Sequence, residues 1–114
     1  MPMSTLAEEL LSVTAISVDV TEDALSVELS DGRTIAAPVC WFPRLSHATS
    51  AERQNWRLVG PGHGVHWPDL DEDISVSGLL LGRPSGESQA SLRRWLDQRK
   101  QSKKSGGAGI RRKK

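Results

Sequence analysis

Between residues 13 and 39 the hydrophobic positions recur at every second residue, the spacing that puts successive side chains on opposite faces of an extended chain. Ile16, Val18 and Val20 alternate with Ser17 and Asp19, and Leu25, Val27 and Leu29 alternate with Ser26 and Glu28. Ile35, Ala37 and Val39 make a third run of the same kind. The breaks fall at Thr21-Glu22-Asp23 and Ser30-Asp31-Gly32, where Gly32 readily supplies the positive φ of a tight turn. The pattern predicts an antiparallel three-stranded meander with one apolar face.

Beyond residue 39 the period changes. Pro38 and Pro43 bracket the end of the third run, and Pro43 biases Phe42 toward an extended backbone, so the chain is expected to leave the sheet near Trp41. Thr49 and Glu52 stand at the spacing of a reciprocal helix cap, which predicts a short helix over residues 50–56. Gly60, Pro61, Gly62 and Gly64 make a turn that cannot be helical. Residues 65–67 are expected as a short fourth strand, and residues 73–81 as a brief helix or a turn. Leu92, Trp95 and Leu96 share one face at i, i+3 and i+4, predicting a last helix over residues 87–100. Thr5 and Glu8, with Leu6 and Leu10 on one face, predict another short helix within residues 1–11. The expected fold is α+β: a small antiparallel sheet packed with short helices, in one domain over residues 1–97.

Composition changes this picture at the C-terminus. The chain has 114 residues and 37% hydrophobic content, enough for one modest core. Residues 98–114 hold Arg99, Lys100, Lys103, Lys104, Arg111, Arg112, Lys113 and Lys114 and no acid, a charge of plus eight. Residues 1–97 hold the other seven basic residues and all fourteen acidic ones, a net of minus seven. Residues 101–114 contain one large apolar residue, Ile110, among glycines, serines and cations, so a disordered tail is expected until a partner binds. The eight cations suit phosphate contacts with a nucleic acid, or contact with a partner protein. No long apolar stretch or leader pattern is present and Cys40 has no second cysteine to pair with, which places the protein in the cytoplasm, away from membranes, as an expectation.

Residues 41–74 hold three of the four tryptophans, the only phenylalanine and all three histidines, so the chemistry-bearing side chains are concentrated there. Three blocks, DGRTIAAPVCWFPRL, ATSAERQNWRLVG and GVHWPDLDEDISVSGLL, succeed one another in an order and spacing that resembles a bacterial family known as domain of unknown function 2442. The likeness spans roughly residues 12–82. It implies a small α+β domain on an antiparallel sheet with no established catalytic activity. In that family some members carry an added helix-turn-helix domain, and many are encoded beside a small companion protein, as toxin and antitoxin pairs are. The family's Trp-Phe-Pro-Arg-Leu run falls on Trp41, Phe42, Pro43, Arg44 and Leu45. Its His-Trp-Pro-x-Leu-Asp-Glu-Asp run falls on His66, Trp67, Pro68, Leu70, Asp71, Glu72 and Asp73. After the domain this chain has one helix and a basic tail, too short for a helix-turn-helix, so a DNA-reading role of that added domain is not implied.

Each candidate chemistry has a structural alternative in the same residues. Asp69, Asp71 and Asp73 alternate like the first ligands of a calcium loop, but Ile74 stands where that loop needs glycine and Leu80 where it needs a bidentate glutamate. His63 and His66, with Asp69 and His47, could supply zinc ligands, though two histidines at this spacing are common by chance. Cys40 lacks a base to activate it and reads as a structural thiol. The Gly60–Gly64 turn lacks the lysine and hydroxyl pair of a phosphate loop. An enzyme would rest on His66 with Asp69 or Asp71 as an acid and base converging in a pocket. The tryptophans read as core, and Arg44 and Arg57 as stacking on Trp41, Trp56 or Trp67 or pairing with Asp71, Glu72 or Asp73. The expectation is therefore a non-enzymatic binding protein, antitoxin-like, without metal or cofactor. A small basic companion would dock on Trp67, Asp69, Asp71, Glu72, Asp73, Arg44 and Arg57, with the tail adding affinity. A free-standing nucleic-acid-binding accessory protein is the alternative, and a homo-oligomer stays open.

Overall fold

A computed structural model describes residues 12–110, with side chains described for residues 12–101. The helix expected within residues 1–11 and the cations Arg111 to Lys114 lie outside the described residues, as do the side chains of Lys103 and Lys104.

The alternating region folds as the meander its period predicts: β1 (Ala15–Val20), β2 (Ala24–Leu29) and β3 (Thr34–Pro38), antiparallel in the order β1-β2-β3. Leu25, Val27 and Leu29 are buried, and Thr21 turns the first hairpin by accepting the Asp23 and Ala24 amides on its hydroxyl at 3.1 and 3.0 Å. One position departs from the expected face. The ladder slips between Ala15 and Ser17, so Ala15 is buried and Ile16 is 53% exposed. A bulge of this kind inserts one unpaired residue and re-aims the side chains before it. Its cause lies far away in sequence: the Ala15 amide donates to the Gly62 carbonyl at 2.7 Å, and Thr14 and Ser30 exchange hydrogen bonds across the strand ends.

At Pro38 the ladder ends, and Val39–Trp41 form a single 3-10 turn. The turn rotates Val39 inward and leaves Cys40, read from the sequence as a structural thiol, free and exposed. Pro43 starts α1 (Pro43–Ser46), where its missing amide costs nothing. The reciprocal cap forms as predicted: Thr49 accepts the Glu52 amide and Glu52 accepts the Thr49 amide, opening α2 (Ser50–Gln54). The helix stops two residues short of Trp56, and Arg53 turns back to donate to the carbonyls of Leu45 and Ser46 at the end of α1.

The main difference from expectation is a complete second sheet. β4 (Arg57–Val59), β5 (Gly64–Trp67) and β6 (Glu72–Ser75) pair antiparallel in that order, in place of one isolated short strand. Residues 73–81 thus divide between the end of β6 and α3 (Val76–Leu80), which Ser75 caps through the Gly78 amide. Helix α4 (Gln89–Ile110) begins two residues later than expected and its backbone continues ten residues past Lys100, into the segment expected to be disordered. Extending a helix adds one hydrogen bond per residue fixed, without a new nucleation cost, and Gln101, Lys103 and Lys104 are good helix formers, whereas Gly106, Gly107 and Gly109 beyond them are poor ones.

Both sheets, α1, α3 and α4 close on one core, in which Leu25, Val27, Leu29, Leu45, Val65, Trp67 and Leu70 are essentially inaccessible. Gly62 joins the two sheets. Its φ is +105°, and a Cβ there would sit 2.6 Å from the Ala15 carbonyl oxygen. Gly62→Ala is therefore expected to destabilise the fold by about 2–3 kcal/mol, because neither the backbone conformation nor the contact can be relieved by a side chain moving away. Gly60→Ala, also at positive φ but facing open space, is expected to cost about 1 kcal/mol. Urea denaturation of the two variants would read the difference.

Candidate functional site

Arg44 meets the Leu70–Asp71 backbone where the β5–β6 turn approaches α4, and it organises the contacts there. It projects from α1 and donates from Nε and Nη2 to the Glu87 carboxylate at 2.7–3.0 Å, and from Nη1 to the carbonyls of Leu70 and Asp71 at 2.9 and 3.3 Å. The pair is well shielded, with side-chain exposures of 15% for Arg44 and 9% for Glu87. The paired guanidinium holds the Glu87 carboxyl below its usual range, and the Ser91 hydroxyl on the same carboxylate adds to that. Arg44 thus pairs neither through the side chains of Asp71, Glu72 and Asp73 nor, as its nearest ring, with the motif tryptophans. It lies over Trp95, 5.1 Å from the ring centroid.

Arg99 lies 4.6 Å from the same ring and grips Glu52 through two bonds at 3.0 and 2.8 Å. A continuous chain of contacts therefore runs from Glu87 through Arg44, Trp95 and Arg99 to Glu52, the residue that caps α2. It clamps α4 onto the body. Expected among the phosphate-binding cations, Arg99 belongs to this clamp instead; Lys100 beside it is exposed. Sequence reasoning missed Glu87, although it is the only acid between Asp73 and Asp97 and so a natural counter-ion for a partly buried arginine.

The acidic run divides. Asp69, Asp71 and Asp73 are exposed, while Glu72 is half-buried, because Glu72 and Ile74 occupy the inward face of β6. Asp69 accepts from the Asn55 amide nitrogen at 2.9 Å. Asp73 meets His66 Nδ1 at 2.8 Å across the β5–β6 ladder, with Arg57 opposite His66 on β4. Asp71 adopts φ +51°, the only non-glycine in that region among the described residues, and its carbonyl is one that Arg44 holds. The three aspartates have different partners, and among the described residues no group of three or more His, Cys, Asp or Glu side chains is placed to hold a metal ion. His66 lies with Asp73, on the outward face of the second sheet, and not with Asp69 or Asp71.

Trp67 requires a correction. Expected as part of a docking surface, it is 0% exposed, and its Nε1–H donates to the Arg53 carbonyl at 3.1 Å. Burying so large a ring opposite Glu72 stabilises the turn from beneath, so Trp67 is core and not part of the exposed surface of this chain. Trp41 and Trp56 pack partly buried against the core, Trp95 is buried, and Arg57 is exposed.

Burial raises the Glu72 pKa to about 7, with Glu87, Asp73 and Asp71 adding to the rise and Arg44 opposing it. Between the ordinary carboxyl range and pH 7 the folded chain binds a proton that the unfolded chain releases, so stability falls as pH rises through this window. Glu72→Gln is expected to abolish that fall and to stabilise the chain by about 2 kcal/mol at pH 8. Glu87 and Glu52, whose pKa values are lowered by Arg44 and Arg99, have the opposite linkage: their contribution is present above the ordinary carboxyl range and lost as pH falls below it. Urea midpoints across pH 4–8 would reveal both slopes, and an unchanged slope above pH 5 in the variant would contradict this assignment.

Comparison with known proteins gives this geometry a family. Residues 15–85, which hold both sheets, the Arg44 motif and the acidic run, match the family described as protein of unknown function (DUF2442). A crystal structure of a protein of unknown function from Rhodospirillum rubrum ATCC 11170 is similar at 28% identity and a TM-score of 0.57, covering 71% of this chain and 98% of the other. The solution structure of an uncharacterized protein from Chromobacterium violaceum is similar at 28% identity and a TM-score of 0.57, covering 74% of this chain and 77% of the other. No curated protein matches. Among the described residues no helix is long and apolar enough to cross a membrane. With the family match extending over more than half of its length, the chain belongs to the DUF2442 family.

Proposed function

We propose that this chain is a non-enzymatic protein-binding module of antitoxin-like type, acting in the cytoplasm, whose acidic turn docks a small basic partner. The observation that supports the reading is the construction of the β5–β6 turn. Asp69 and Asp71 stand exposed on the turn and Asp73 beside it on β6, while Arg44 holds the turn's backbone from one side and Trp67 and Leu70 are buried beneath it. A charged surface fixed before binding loses less conformational freedom on association, and complementary charge speeds encounter with a cationic partner. Arg57 and Arg44 serve differently within it: Arg57 is available at the sheet surface, and Arg44 acts through the turn that it holds.

The basic C-terminal segment adds affinity for a partner or for nucleic acid through Lys100, Lys103, Lys104, Arg111, Arg112, Lys113 and Lys114. The charge division between body and tail also favours a second reading, a free-standing nucleic-acid-binding accessory protein. Co-expression with the product of the adjoining gene separates the two. The docking reading expects a stable complex that dissociates as salt is raised. A clean monomer that instead shifts DNA or RNA at low salt, and loses the shift when the cations after Gln101 are replaced by glutamine, would favour the second.

A further inference from the structure

Helix α4 lies beyond the family-matched residues 15–85, and its two sides differ in chemistry. The inward side is taken up by the body: Trp95 is buried, Leu92 and Leu96 pack against the core, and Glu52 holds Arg99. The outward side exposes Arg93, Arg94, Asp97, Gln98, Lys100 and Gln101, with no large apolar residue. Among the described residues the side chains of Arg93, Arg94 and Lys100 form no ion pair or hydrogen bond. Arg94 borders a groove that Asp69 and Asp71 also line, so acids face it. Arg93 and Lys100 stand seven residues apart and Lys104 follows four further on, spacings that set the three positions on one line along the helix, with Asp97 its single acid. At the rise of an α-helix that line is about 16 Å long.

We propose that this line of cations is a nucleic-acid interface, which holds a DNA duplex by its phosphates and reads no bases. The inference rests on the reading of the basic C-terminal segment as a phosphate contact. It carries that contact back into the folded helix, to Arg93 and Lys100, and away from Arg94 and Arg99. A lipid surface would need an apolar face to bury, and that of α4 is turned onto its own body. A protein partner would take most of its affinity from a few desolvated anchors, chiefly aromatic, and the outward side offers none. Phosphate binding needs only unpaired cations, because its gain comes from counter-ions released by the nucleic acid. Single strands are held largely by stacking on exposed rings, which this side lacks. A duplex suits it better, since the line is longer than the roughly 12 Å width of a major groove and can reach phosphates on both strands.

Fluorescence anisotropy of labelled DNA duplexes of about two helical turns, titrated with the full chain between about 50 and 200 mM salt, tests the interface. Two unrelated sequences should bind equally, with affinity falling steeply as salt rises. Arg93→Gln combined with Lys100→Gln should weaken binding at least about tenfold at the lowest salt and reduce the slope of log affinity against log salt by about two. The urea midpoint of that variant should not move, because neither side chain has a partner in the fold. Arg33→Gln combined with Arg94→Gln removes the same charge and should change affinity less than about threefold. An equal loss in this second pair, a strong preference for one sequence, or tighter binding to single-stranded DNA, an RNA duplex or phosphatidylserine vesicles would each overturn the proposal. Binding lost when the cations after Gln101 are replaced, but unchanged in Arg93→Gln with Lys100→Gln, would overturn the helix interface and leave the tail reading standing. No duplex binding by the full chain would overturn both.

Discussion

Arg44→Ala is expected to destabilise the domain by about 3–5 kcal/mol, because it removes one partner of a shielded ion pair and leaves the other in place. Glu87 would keep only Ser91 as a side-chain donor, and the carbonyls of Leu70 and Asp71 would lose the guanidinium that holds them. Arg44→Lys should recover little, since an ammonium cannot serve the forked carboxylate and two carbonyls at once. Arg44→Ala combined with Glu87→Ala should cost clearly less than the two single changes together, as expected for a pair whose members depend on each other. Additive costs by urea denaturation would contradict the network.

Trp67→Ala is the second large effect, again about 3–5 kcal/mol, from a different cause. The ring is fully buried between the second sheet and the core, so its loss leaves a cavity that the short strands around it can only partly close. It also leaves the Arg53 carbonyl without its indole donor. Trp67→Phe keeps much of the volume and loses the hydrogen bond, and is expected to cost about 1–3 kcal/mol. Set against the roughly 5–15 kcal/mol that hold a domain of ordinary stability, the alanine change is a large share of the whole. A cost below about 1 kcal/mol would place Trp67 outside the core and return it to the surface.

How much of the fold is legible in the chain depends on how local each signal is. The Leu25-Val27-Leu29 alternation, the Thr49 and Glu52 cap and the Leu92-Trp95-Leu96 face are each set by neighbours a few residues apart, and each forms as expected. Ile16 faces the other way because the bulge beside it depends on a hydrogen bond to Gly62, nearly fifty residues away. The second sheet is hidden in the sequence because its strands have only three or four residues. β4 offers one inward side chain, Leu58, and β6 reads Glu-Asp-Ile-Ser, too short and too polar to display a period of two.

The site obeys the same rule. The motif draws attention to Arg44 and to the acids from Asp69 to Asp73, and these do meet in one region. The pairing within it is not legible because the counter-ion, Glu87, lies 43 residues from Arg44. Trp67 and Arg99 read as contact residues because composition counts an aromatic ring or a cation without revealing which way it faces. The structure turns both inward, Trp67 under the acidic turn and Arg99 onto Glu52 and Trp95. Asp69, Asp71 and Asp73 remain outward, the first two on the turn and the third on β6.

Calorimetry at two salt concentrations, with the small basic protein that the docking reading proposes as partner, is the direct test of that surface. The full chain should bind more weakly as salt rises, and Asp69→Asn, Asp71→Asn and Asp73→Asn together should reduce affinity by at least about tenfold while leaving the fold intact. Unchanged affinity in the triple variant, or no salt dependence, would contradict the account.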